Sequence, residues 1–161
     1  MGKIRKLAPS LLEADYRYLD SQLKTMECAG ADIVHIDVMD GTFVPNLSFG
    51  MKTIRSIRSS THLEFDVHMM VQEPIRFAQR MIDAGADVLT VHYEACADLE
   101  STLAFIKDSG IKVGIALKPG TTLNVLTNSV LQKVDVVHLM TVEPGLELEY
   151  FEIVDGNTLQ P

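Results

Sequence analysis

The chain has 161 residues, 47% of them hydrophobic and 22% charged, with a formal net charge of -8 from 14 Lys and Arg against 22 Asp and Glu. That length and composition fit one ordinary globular domain and argue against disorder, a collagen repeat or a disulfide scaffold. The acidic balance disfavours nucleic-acid binding, which rewards clustered Lys and Arg, yet leaves room for a small phosphorylated ligand held by one local donor cluster.

Along the chain, short β-branched runs alternate with longer stretches of helical period, the mark of βα units and a parallel sheet. The first strand is expected at residues 4–8, followed by a helix over 15–29 that Gly30 stops. The second strand spans 32–38, with a short helix at 51–58 behind it. Residues 63–69 form the third strand, and Pro74 opens a helix where its missing N–H costs nothing. Gly85 closes that helix ahead of the fourth strand at 87–92. A helix at 99–108, a strand at 112–117, a helical segment at 122–129 and a sixth strand at 135–140 complete the series. Gly30-Ala31-Asp32 and Gly85-Ala86-Asp87 form a weak repeat, echoed by Val134-Asp135, that reads as a helix stop feeding a buried strand. A last strand ending at Asp155 would follow the sixth with almost no connection. A parallel crossover needs about a dozen residues, so this strand is not expected to join the sheet in the regular way.

No apolar run approaches the roughly 20 residues of a membrane span. Residues 1–10 do not make a signal-peptide core, and Cys28 and Cys96 have no metal-ligand spacing. A cytoplasmic protein with two reduced thiols is expected.

Chemistry is expected at the C-terminal ends of the strands, where parallel α/β sheets carry their ligand sites. His35 and Asp37 are two apart and point to one face, and His68 ends the third strand. Two imidazoles and a carboxylate at one mouth suit a divalent metal. Asp66 alternates with Phe65 and Val67 and shares the face of His68, while His92 and Glu94 end the fourth strand near the mouth. His62 and His138 are read as surface or structural residues. Met39, Met69, Met70 and Met140 lie near the strand ends, as core filling or as a dry wall over a reacting group.

At these residues the chain resembles the ribulose-phosphate 3-epimerase family, over residues 1–145. The matching pieces are Leu7-Ala8-Pro9-Ser10-Leu11-Leu12, His35-Ile36-Asp37-Val38-Met39-Asp40-Gly41, Phe43-Val44-Pro45-Asn46, Asp66-Val67-His68-Met69-Met70-Val71, Val113-Gly114-Ile115-Ala116-Leu117-Lys118-Pro119-Gly120-Thr121 and Met140-Thr141-Val142-Glu143-Pro144-Gly145. The resemblance implies a (β/α)₈ barrel that interconverts D-ribulose 5-phosphate and D-xylulose 5-phosphate through an enediolate. It implies one divalent metal ion (Zn, Fe, Mn or Co) held by His35, Asp37, His68 and a second Asp. Asp37 is then also one of two acid/base carboxylates. Ser10 and His68 contact substrate, Met39, Met70 and Met140 line the reacting carbons, and Gly145 starts a substrate loop. Val154-Asp155-Gly156 is similar to the motif that carries the family's second Asp, which would make Asp155 the fourth ligand and second acid/base; a chance match of three residues is the alternative.

The chain departs from this pattern after Gly145, where Leu146-Glu147-Leu148-Glu149 stands in place of a Gly-rich loop. A (β/α)₈ barrel takes ~200–250 residues. The expected architecture is therefore an incomplete TIM-type α/β barrel of about six βα strands plus a candidate seventh. Residues 1–145 would be the partial barrel and 146–161 a divergent tail. The implied partner is a small phosphorylated ketose, with no nucleic acid and no membrane. An allulose-6-phosphate-type hexulose-phosphate 3-epimerase is the alternative, as is a non-catalytic variant that forms a homo-oligomer or pairs with a full-length homologue. Weak or no epimerase activity is expected of the isolated chain.

Overall fold

A computed structural model describes residues 5–141 and the backbone of residues 153–155. Five strands run parallel in sequence order: β1 (Ile33–Met39), β2 (Glu64–Met70), β3 (Val88–His92), β4 (Lys112–Leu117) and β5 (Val136–Leu139). Helix α1 (Leu19–Cys28) precedes the first of them. Helices α2 (Met51–Ile57), α3 (Ile75–Ile82), α4 (Leu99–Asp108) and α5 (Asn128–Leu131) lie in the successive crossovers. This is an incomplete barrel of the (β/α)₈ type. Among the described residues, no helix is long and apolar enough to cross a membrane.

The two faces of the sheet have different chemistry. Val34, Ile36, Val38, Phe65, Val67, Met69, Leu89, Val91, Val113, Ile115 and Val137 face the helices and form the main core. Leu103 and Ile106 of α4 and Ala78 and Met81 of α3 supply the helical side at three-residue spacing. The alternate strand positions, His35, Asp37, Asp66, His68, Thr90, His92 and His138, turn the other way and are equally buried. A strand buried on both faces reads as one near-continuous apolar run, so polar residues on the inner face have to satisfy one another.

Local chemistry sets the ends. The Asp98 side chain accepts from the Ser101 N–H at 3.0 Å and caps α4. Gly85, after α3, has φ +107, and a Cβ there would sit 2.6 Å from the Arg58 side chain. The repeated Asp has a structural task. Asp32, Asp87 and Asp135 each start a strand and accept a backbone N–H from the neighbouring segment: Leu7 at 2.8 Å, Phe65 at 2.8 Å and Val113 at 2.9 Å.

Two elements differ from expectation. Residues 5–9 form no regular strand but lie beside β1, with Leu7 O accepting from Asp32 and Ile33 and Pro9 O accepting from His35. Pro9 has no N–H to return, so the ladder shrinks to one Ser10–His35 bridge. Residues 122–129 split into a 3₁₀ turn (Leu123–Val125) and the short α5. The last strand, β6 (Ile153–Asp155), pairs antiparallel with β5, as its irregular connection implied.

Candidate active site

The inner faces of β1 and β2 lie in register, Asp37 opposite His68 and His35 opposite Asp66. Asp37 is fully buried and bonded on both oxygens. Ser10 Oγ donates to Oδ2 at 2.6 Å; His68 Nδ1 at 3.0 Å and His35 Nε2 at 3.2 Å both face Oδ1. Ser10 is held in turn by the Leu12 N–H, which donates to its Oγ at 3.1 Å where Ser10 caps a 3₁₀ turn. The far side of His35 is fixed by Asp66, whose Oδ2 lies 2.9 Å from Nδ1, while Thr90 Oγ1 donates to the other Asp66 oxygen at 3.2 Å.

A second chain leads from His68. Its Nε2 lies 2.8 Å from His92 Nε2, and His92 Nδ1 lies 3.2 Å from Glu94 Oε2. Glu94 also accepts from the Lys118 N–H at 2.9 Å and from the Thr121 hydroxyl. Burial would raise the Glu94 carboxyl, but its bonds from His92 and Thr121 bring it down to about 2. Burial pushes His92 down to about 4.

This network assigns the tautomers. An ionised Glu94 only accepts, so His92 carries its proton on Nδ1 and accepts at Nε2. In its Nε2–H tautomer, His68 donates to His92 and turns the lone pair of Nδ1 toward Asp37. His35, donating from Nδ1 to Asp66, likewise turns its Nε2 lone pair toward the same carboxylate oxygen. Two lone pairs converging on a carboxylate call for positive charge between them. Without a metal that charge is a proton: burial lowers His35, but Asp37 and Asp66 outweigh it and raise it to about 10. Burial opposes ionisation of Asp37 too, yet His35 and His68 hold it well below the usual carboxylate range. Imidazole nitrogens oriented by carboxylates around one more carboxylate fit a divalent cation.

His138 is also here. It is buried, with its ring 4.7 Å from that of His68 and 5.4 Å from that of His35. One ring nitrogen from each of His35, His68 and His138 lies within 4.8 Å of the others. Burial, with His68 and His35 adding to it, keeps His138 far below the usual imidazole range.

The residues named from the sequence are thus largely brought together. Ser10, His35, Asp37 and His68 share one buried site. Met39 and Met70 pair across β1 and β2 and pack with Val44, and Met140 is buried beyond β5. Gly145 lies outside the described residues. The backbone of Asp155 lies beside Val136, at the start of β5 and away from the C-terminal edge. His138 is neither surface nor remote. Its spacing of two from Met140, a residue already expected at the mouth, was the signal that could have found it.

The chain matches the ribulose-phosphate 3 epimerase family over residues 6–153. It belongs to that family. A ribulose-phosphate 3-epimerase of Bacillus subtilis is 46% identical over 140 residues, covering 87% of this chain and 64% of the relative. One of Treponema pallidum is 50% identical over 139 residues, covering 86% and 63%. The chain therefore spans about three-fifths of the length of these epimerases. Among solved structures, a 3-keto-L-gulonate-6-phosphate decarboxylase of Vibrio cholerae matches with TM-score 0.60 at 16% identity, over 81% of this chain and 59% of that one. The tryptophan synthase alpha chain of Legionella pneumophila matches with TM-score 0.57 at 16% identity, over 89% and 63%. At such identity the likeness concerns the fold alone. Two of the pieces that carry the resemblance, around His35–Asp37 and Asp66–His68, lie on the inner face of β1 and β2, where the buried cluster lies.

Proposed function

We propose that this chain binds a divalent metal ion and a phosphorylated ketose, and moves the proton on the carbon beside the carbonyl, in the epimerisation of D-ribulose 5-phosphate to D-xylulose 5-phosphate. The observation that carries this reading is the buried Asp37 carboxylate, with Ser10 on one oxygen and two imidazoles on the other. Inverting a carbon next to a carbonyl means removing its proton on one face of a planar enediolate and returning one on the other.

Asp37 serves one face as the base. The Ser10 hydroxyl fixes the rotation of its carboxylate, and burial removes the water that would compete for the proton. His35, His68 and Asp37 would hold the cation, with Asp66 and His92 setting the orientation of the two rings. A cation held there supplies positive charge to the oxyanion that develops at the substrate carbonyl. Met39, Met70 and Met140 supply apolar surface beside the reacting carbons. Asp155 is not assigned the opposite face, because its backbone lies at the far end of β5.

The test uses the full chain with Zn²⁺, Co²⁺ or Mn²⁺ and ribulose 5-phosphate in D₂O. Deuterium is expected to enter C3 faster than xylulose 5-phosphate forms, since one carboxylate can exchange a proton on one face without inverting the centre. Asp37→Asn should lower this exchange by at least about 100-fold. No exchange above a metal-only control would overturn the reading.

A further inference from the structure

His138 has no task in the mechanism above, yet it stands among the groups that perform it. The inner face of β5 otherwise carries apolar residues, and a buried imidazole there costs desolvation that an aliphatic side chain would avoid. The neighbouring strand makes room for it. Gly114 and Ala116 are the small inner-face residues of β4, and Ala116 is the register partner of both His92 on one side and His138 on the other. A ring on β5 can therefore lean across toward β2, and the His68 and His138 centroids come within 4.7 Å.

We propose that His138 is a third imidazole ligand to the cation bound by His35, Asp37 and His68, an inference that rests on the metal-binding part of the function proposed above. One nitrogen from each of the three rings already lies within 4.8 Å of the others. Nitrogens bound to one tetrahedral ion at ~2.1 Å stand roughly 3.4 Å apart, so rings that are farther apart would have to close on the ion. With Asp37 beside His35 and His68, the three rings would make a four-donor set from β1, β2 and β5.

Such a set has consequences for which metal is taken. Three imidazoles and one carboxylate are richer in nitrogen than two of each, which favours Zn²⁺ or Co²⁺ over Mn²⁺. With one carboxylate, a divalent ion also keeps a formal charge of +1 at the site.

The metal alone is the probe. Zn²⁺ and Co²⁺ are titrated into the metal-free full chain by calorimetry, and X-ray absorption of the Zn-loaded wild type counts its imidazole ligands directly. Three imidazoles are expected, and His138→Leu should weaken Zn²⁺ by more than about 100-fold, beyond the roughly 10–100-fold loss seen when a residue that merely supports a ligand is removed. His138→Asn, with circular dichroism on both variants, guards against a folding defect. Two imidazoles in the wild type, or unchanged affinity in a folded variant, overturns the role of His138 and leaves the metal site standing. If wild type binds neither ion, the metal-binding reading falls and this inference with it.

Discussion

Three polar groups meet the Asp37 carboxylate where water does not reach, and Glu94 holds the other end of the same chain. Glu94 ionises at about 2 in the folded protein against an ordinary 4.5. A depressed folded value means that its stabilisation is present above about 4.5 and is lost as pH falls toward 2. Thermal unfolding of the metal-free chain should show an acid limb in that window, flattened in Glu94→Gln. An unchanged limb would mean that other carboxylates set it. In the apolar layer, Leu89 is fully buried on β3. Leu89→Ala should cost about 2–5 kcal/mol in denaturant unfolding, because neighbouring strands leave little freedom to close the cavity.

The starts of β1, β3 and β5 are pinned by Asp32, Asp87 and Asp135 of the weak repeat. The Asp87 side chain accepts the Phe65 N–H at 2.8 Å, while the Asp87 N–H donates to Phe65 O at 3.0 Å. This two-way clasp sets the register of β3 on β2, and with it the height of Thr90 and His92 at the site. Asp87→Ala leaves the Phe65 N–H at the sheet edge without its acceptor and should cost about 1–3 kcal/mol by equilibrium unfolding. Gly114 governs the inner face in another way. A Cβ there would collide with the Thr90 side chain, which donates to Asp66 behind His35. Gly114→Ala should destabilise by about 1–3 kcal/mol and, by displacing Thr90, weaken Zn²⁺ binding. A tolerated substitution with full affinity would show that Thr90 moves freely.

A cation held by the polar cluster would be coupled to the stability of the entire sheet, because His35, Asp37 and His68 come from strands that pair only in the folded chain. A ligand bound by the folded chain alone stabilises it by about 2.7 kcal/mol at 100 times its Kd. For a domain of this size that corresponds to roughly 5–10 °C in Tm. Zn²⁺ should therefore raise the unfolding temperature by that amount and a chelator reverse it. A flat response would count against a buried metal site of any composition.

The strands and helices of β1–β5 were legible in the sequence because hydrophobic period, Gly stops and the Pro74 start are local properties of the chain. Strand 112–117 and helix 99–108 came out at their expected bounds. His35, Asp37 and His68 were legible for the same reason, through a two-residue period and motif spacing. Residues 5–8 of the expected first strand form no regular strand because Pro9 withholds an N–H, a loss that matters only once β1 is its neighbour. His138 and the ordering roles of Asp66, His92 and Glu94 needed the tertiary structure. A single strand shows that a residue alternates inward, but not which residues of other strands stand at its height. That is decided by register, which joins residues 35, 68 and 138 in one site and sets the backbone of Asp155 at the opposite end of β5.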